Sequence, residues 1–126
     1  MGRRGRGKRR RRRAVRMLDP TLLLLLHHGP AHGYVLLERL EEFGLSEFDS
    51  SVIYRALRGM EERGWVSSTW DEEETQGPPR RVYRITAAGD EMLSLWIRDL
   101  RETRAKIEHL LGVYEQHMEE GEGEHH

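Results

Sequence analysis

The sequence predicts a mainly α fold with a small two-stranded β wing and a long C-terminal helix. Three observations lead there. Three short stretches with helical apolar spacing each close at a glycine, namely Gly29, Gly44 and Gly64. Two β-rich runs follow, on either side of the turn-forming Gly77-Pro78-Pro79. In the last third, Leu93, Leu100, Ile107 and Tyr114 recur every seven residues.

Asp19-Pro20 reads as the first helix start, with Asp as N-cap and Pro at the first helical position, where its missing N–H costs nothing. Leu22 to Leu26 continues the helix and Gly29-Pro30 stops it. A second helix is expected from His32 to Phe43, burying Leu36, Leu37, Leu40 and Phe43 at three- and four-residue spacing, and Gly44 ends it. Asp49 or Ser50 can cap a third helix whose apolar side is Ile53, Ala56, Leu57 and Met60. At roughly 100° per residue, Ser51, Arg55, Arg58 and Glu62 take the opposite side, with Tyr54 on the flank. Gly64 closes that helix as a left-handed cap. Trp65 to Trp70 and Arg81 to Ile85 then read as two strands of a hairpin with a long loop. Thr86 caps the last helix, whose first turn holds Asp90 and Glu91 where the helix dipole favours negative charge. This helix is expected to reach Met118. Three helices followed by a hairpin make the winged version of the helix-turn-helix.

At 126 residues there is room for one domain. Cysteine is absent, which excludes disulfides, thiolate metal sites and cysteine nucleophiles, and fits a reducing cytoplasm. The longest apolar run, Leu22 to Leu26, is far short of a membrane span, and the N-terminus lacks a secretory apolar region. The net charge of −1 hides an asymmetry. Residues 1–13 carry nine Lys or Arg and no acid, which leaves 12 basic against 22 acidic residues over 14–126. A basic arm, expected to be disordered, is attached to an acidic body. The arm has two readings: a phosphate-neutralising segment through residues such as Arg10, Arg11, Arg12 and Arg13, or a solvated tail.

The heptad positions are flanked by Trp96, Ile97, Leu110 and Leu111, giving an apolar seam over about three heptads. So small a core cannot cover so long a stripe, and its distal half is expected to bury against an identical chain. The expected organisation is a basic arm over 1–16, a winged helix-turn-helix unit over 17–86, a dimerisation helix over 87–118 and an acidic disordered tail over 119–126.

Several segments have a more specific pattern. Leu22-Leu23-Leu24-Leu25-Leu26-His27-His28-Gly29-Pro30-Ala31-His32-Gly33-Tyr34 resembles the opening of the PadR-like family of regulators, in which an apolar helix ends in Gly-Pro and leads into His-Gly-Tyr. Ser50-Ser51-Val52-Ile53-Tyr54-Arg55-Ala56-Leu57 is similar to the family's recognition helix. Glu61-Glu62-Arg63-Gly64-Trp65-Val66 and Pro79-Arg80-Arg81-Val82-Tyr83-Arg84-Ile85-Thr86-Ala87-Ala88-Gly89 extend the match over residues 20–90 in the family's order. Three features depart from it: Ser51-Val52 and Arg55 stand where members often carry Gly-Thr and Pro, the wing holds Asp71, Glu72, Glu73 and Glu74, and the arm is additional. The resemblance implies a sequence-specific repressor of transcription acting as a homodimer on an inverted-repeat operator. It also implies release by a small aromatic or cationic effector.

On that reading Ser51, Tyr54, Arg55 and Arg58 face the major groove, with Arg55 the best base reader. Competing roles are an ordinary solvated arginine paired with Glu61 or Glu62, and a half-buried tyrosine offering its hydroxyl to a phosphate. Arg80 and Arg81, with Arg84, approach a minor groove or backbone phosphates, or else pair with Glu72 to Glu74 inside the hairpin. The dimer interface is Leu93, Trp96, Ile97, Leu100, Ile107, Leu110, Leu111 and Tyr114; Trp96 either fills it or lines an effector pocket. His27, His28 and His32 do not share a helix face, because Gly29-Pro30 intervenes, and read as turn and cap residues with no metal or other cofactor. No phosphate-binding glycine loop and no nucleophile with a base is present, so no enzymatic activity is expected. Double-stranded DNA and a second copy are the expected partners, in the cytoplasm at the nucleoid, with no membrane. The alternatives are a winged-helix protein-interaction or non-specific nucleic-acid module, and a metal-dependent sensor using the histidines.

Overall fold

A computed structural model describes residues 17–71 and 80–124, with side chains to residue 121. Helix α1 occupies residues 17–28 of the described chain. It is already helical at Met17, where the Met17 carbonyl accepts the Thr21 hydroxyl at 2.6 Å, so Asp19 is not its N-cap. Burial raises the Asp19 carboxyl above its ordinary value, with Arg63 opposing the shift. Leu18, Leu22, Leu23, Leu25 and Leu26 are all buried, so α1 is apolar nearly all round and lies in the core.

Gly29-Pro30 ends α1, and the chain continues as strand β1 (Ala31–His32) into helix α2 (Gly33–Leu40). After Leu40 the chain tightens into a 3-10 turn over Glu41–Phe43, and Gly44 takes a left-handed φ of 72°. The Gly44 amide reaches the Glu41 carbonyl and the Leu45 amide reaches the Leu40 carbonyl, each at 3.0 Å. This reversal aims the residue after the glycine inward. Leu45 is therefore buried, and Phe43, expected in the core, is 46% exposed.

Helix α3 (Ser50–Glu62) starts where the cap was expected, the Asp49 carboxylate accepting the Val52 amide at 3.1 Å. Ile53, Leu57 and Met60 are fully buried, and α3 packs on α2. At its end Gly64 has φ 79°, and the Trp65 amide returns to the Met60 carbonyl at 2.9 Å.

Strands β2 (Val66–Asp71) and β3 (Arg80–Ile85) pair antiparallel from Val66 opposite Ile85 to Asp71 opposite Arg80. The wing is thus formed, but it is not two-stranded. β1 adds to the other edge of β3, with Ala31 opposite Tyr83 and His32 opposite Val82, giving the order β1-β3-β2. Two residues are too few to carry an alternation, which is why β1 leaves no trace in the sequence pattern.

Helix α4 (Ala87–Glu124) opens at Thr86, whose hydroxyl accepts the Gly89 amide at 3.1 Å and donates to the Gly64 carbonyl at 2.6 Å. A Cβ on Gly89 would stand 2.1 Å from the Trp65 carbonyl oxygen, so the first turn of α4 fits only without a side chain there. Asp90 in that turn pairs with His27 at 2.7 Å, and Leu93 is buried. The helix runs beyond Met118 to Glu124, where a disordered tail was expected from residue 119. Glutamate is a good helix former and no proline interrupts the segment. The chain divides into a compact body up to Leu93 and a second unit from Ser94. Among the described residues no helix is long and apolar enough to cross a membrane.

Candidate nucleic-acid interface

The outward side of α3 carries Ser51, Tyr54, Arg55 and Arg58, all exposed. Each arrives there because Ile53, Leu57 and Met60 turn the opposite side into the core. Their situations differ. The Ser51 hydroxyl donates to the Asp49 carboxylate at 2.5 Å, so it is engaged by the cap. That bond and the Val52 amide hold the Asp49 carboxyl below the ordinary carboxylate range, and it stays charged at neutral pH. Tyr54 lies against Gly33: a Cβ there would come within 2.6 Å of the tyrosine ring. The ring lies on the first residue of α2, with 40% of the residue exposed.

Arg55 and Arg58 make no ion pair within 4.0 Å among the described residues. The Arg55 pairing with Glu61 or Glu62 does not form. Glu61 instead reaches the wing, accepting the Ser68 hydroxyl and standing 3.9 Å from the Arg81 guanidinium. The Arg81 guanidinium also lies 4.9 Å from the Trp70 ring centroid, within cation–π range. Arg80, Arg81 and Arg84 are exposed along β3. The acidic residues Glu72 to Glu74, against which their pairing was weighed, lie outside the described residues, as do Arg10, Arg11, Arg12 and Arg13 of the arm.

Between α3, the start of α2 and the wing is a cleft of about 640 Å³, lined by Gly33, Tyr34, Tyr54, Arg58, Arg80 and Arg81 among others. Three guanidinium groups and several aromatic faces converge there, donors and stacking surfaces of the kind that meet phosphates and sugars. Tyr34 donates to Glu38 at 2.6 Å, and this bond raises its phenol above the ordinary value. From sequence Glu61 was read only as a partner for Arg55, and Trp70 and Gly33 were given no role in the site. Glu61 sits on an amphipathic helix like any solvated acid, and only the folded wing shows what it meets.

The histidines each have a local role. His27 pairs with Asp90, His28 Nδ1 lies 3.0 Å from the Leu24 carbonyl, and His32 Nδ1 lies 3.2 Å from the Arg81 carbonyl, with Nε2 3.5 Å from Asp71. Among the described residues no group of three or more His, Asp or Glu is placed to hold a metal ion.

On α4, Trp96, Ile97 and Leu100 are half-buried, whereas Ile107, Leu110, Leu111 and Tyr114 are exposed, Leu110 at 66%. Val113 and Met118, outside the expected seam, are exposed as well.

The sequence pattern described as the transcriptional regulator PadR-like family matches residues 22–95, from the core leucines of α1 through the wing into α4. The chain belongs to the PadR-like family of transcriptional regulators. Solved structures agree with the fold of this PadR-like chain. A conserved protein of unknown function, described as a potential transcriptional factor, is 38% identical, with a TM-score of 0.71, over 82% of this chain and 91% of that one. A PadR-like transcription factor from Bacteroides fragilis is 28% identical, with a TM-score of 0.67, over 82% of this chain and 98% of that one. A PadR family transcriptional regulator from Eggerthella lenta is 27% identical, with a TM-score of 0.61, over 71% of this chain and 80% of that one. No curated protein matches the chain. The PadR-like match includes α3 and β3, so the cationic cleft belongs to the part of the chain that the family shares.

Proposed function

We propose that this PadR-like chain represses transcription as a homodimer bound to an inverted-repeat operator. The observation that carries the reading is the outward side of α3. Arg55 and Arg58 stand there exposed and without an ion pair among the described residues, and Arg58 shares the cleft with the wing arginines Arg80 and Arg81. Arginine in this position can bond bidentately to a guanine edge, and the wing arginines can take backbone phosphates. Arg55 is the base reader, and Tyr54 and Arg58 position the helix.

The second copy is supported by the apolar residues that α4 leaves exposed from Ile107 to Met118. Two α3 helices related by a two-fold axis would read half-sites roughly 34 to 36 Å apart. The basic arm would add affinity independent of sequence and sensitive to salt. Family likeness supports release by a small aromatic or cationic effector, for which Trp96 offers the stacking surface. Repression would take place in the cytoplasm, at the nucleoid.

Selection of bound sequences from random duplex DNA, with stoichiometry measured on the recovered duplex, tests the reading. An inverted repeat holding two protein chains is expected. A monomer on DNA, or equal affinity for all duplexes, overturns it.

A further inference from the structure

We propose that Glu61 is a positioning residue that holds the wing arginine Arg81 in a fixed place beside the outward side of α3. The inference rests on the DNA-binding reading above and names a residue that makes that reading work. Glu61 belongs to the last turn of α3 and has 32% of its side chain exposed. One carboxylate oxygen, Oε2, accepts the Ser68 hydroxyl of β2, and the other, Oε1, stands 3.9 Å from Nη1 of Arg81 on β3. A single side chain thus ties α3 to both long strands of the wing.

The sheet register explains how. Ser68 lies opposite Tyr83 and Trp70 opposite Arg81, so these four residues share one sheet face. Glu61 meets that face at Ser68 and Arg81, and the Trp70 ring centroid lies 4.9 Å from the Arg81 guanidinium. A guanidinium has five N–H donors in a rigid fork. Its contacts with Glu61 and Trp70, together with a hydrogen bond to the Tyr83 hydroxyl, restrict how far it can sweep the cleft.

The sign of the expected effect separates this role from the ordinary one. A carboxylate near a DNA face repels phosphates, so neutralising it should strengthen binding. If Glu61 holds Arg81, neutralising it weakens binding although the protein becomes more positive. Glu61→Gln keeps an acceptor for Ser68 and removes the charge.

The experiment compares wild type, Glu61→Gln, Arg81→Ala and the double variant, all as full chains, with thermal unfolding confirming that each is folded. The probes are the duplex recovered by the selection and a scrambled duplex of equal length. In Glu61→Gln the Arg81 Nε–Hε group is expected to lose order in 15N relaxation of the free protein. Affinity for the recovered duplex should fall about two- to five-fold. The slope of log affinity against log salt should shrink by about one unit. Neither change in binding should occur in the Arg81→Ala background. Tighter binding in Glu61→Gln, an unchanged Arg81 order, or an equal loss in both backgrounds overturns the proposal. Should wild type fail to distinguish the two duplexes, the DNA-binding reading falls, while Arg81 order in the free protein still decides whether Glu61 holds the wing.

Discussion

The body up to Leu93 and the helix from Ser94 onward use the same kinds of residue to opposite ends. In the body, Leu22, Leu36, Ile53 and Leu57 are fully covered by the body's own elements. In the distal helix, Ile107, Leu110 and Tyr114 each keep more than half their surface exposed. Apolar surface left in water is unfavourable in both places, so the difference lies in what supplies the cover. The body supplies its own. The distal helix carries a stripe suited to a surface outside itself, and its seven-residue spacing is the spacing of a helix that packs against another helix.

The contrast can be broken or sharpened by substitution, beginning where the effect should be greatest. Leu57→Ala leaves a void among fully buried neighbours and should cost the body about 2–5 kcal/mol, measured by urea unfolding. Stability equal to wild type would mean that the body is not the self-contained core described. Ile107→Glu combined with Leu111→Glu places two charges on the exposed stripe. Self-association should weaken by at least roughly a hundredfold in sedimentation velocity, while the unfolding of the body changes little. Loss of both together would erase the distinction between the two regions.

Smaller effects probe the surface of the body. Arg55→Ala should cost about 1–3 kcal/mol on the recovered duplex and relax preference at one base position in a binding titration. A loss of equal size on every duplex would reassign the arginine to phosphate. Asp49→Ala should lower the melting midpoint at pH 7, because the α3 cap is removed. The Asp49 carboxyl is held below its ordinary value by the Ser51 hydroxyl and the Val52 amide, so its contribution is complete above pH 3.8 and is lost as pH falls through the lower folded value. The difference between the variant and wild type should therefore close in acid. A gap that persists at the lowest pH would mean that the charge is not what stabilises the helix start.

What could be read from sequence followed the range of the interaction. The Asp49 cap, the Gly64 turn and the Thr86 cap are each decided within three or four residues, and each is found in place. The outward side of α3 was legible for the same reason, since helical spacing alone separates Arg55 and Arg58 from Ile53 and Leu57. Long-range choices were not legible. β1 depends on strand β3, some fifty residues further on, accepting two residues at its free edge. Phe43 is exposed and Leu45 buried because the chain reverses at Gly44, a turn that helical periodicity does not register. The chain is already helical at Met17, so Asp19 does not cap the helix although the residue pattern alone favoured a beginning there. Within the candidate site, Glu61 was hidden for a related reason, its partners Ser68 and Arg81 lying on different strands.

The contact between Tyr54 and Gly33 bears on how readily a ligand could be engaged. A residue with any side chain at position 33 would displace the phenol ring, so the missing methyl is what lets the ring settle before anything binds. Freezing a freely rotating side chain at an interface costs about 0.5–1.5 kcal/mol. For a tyrosine already seated, much of that entropy has been surrendered during folding, and the encounter with a duplex can keep more of its binding free energy as affinity.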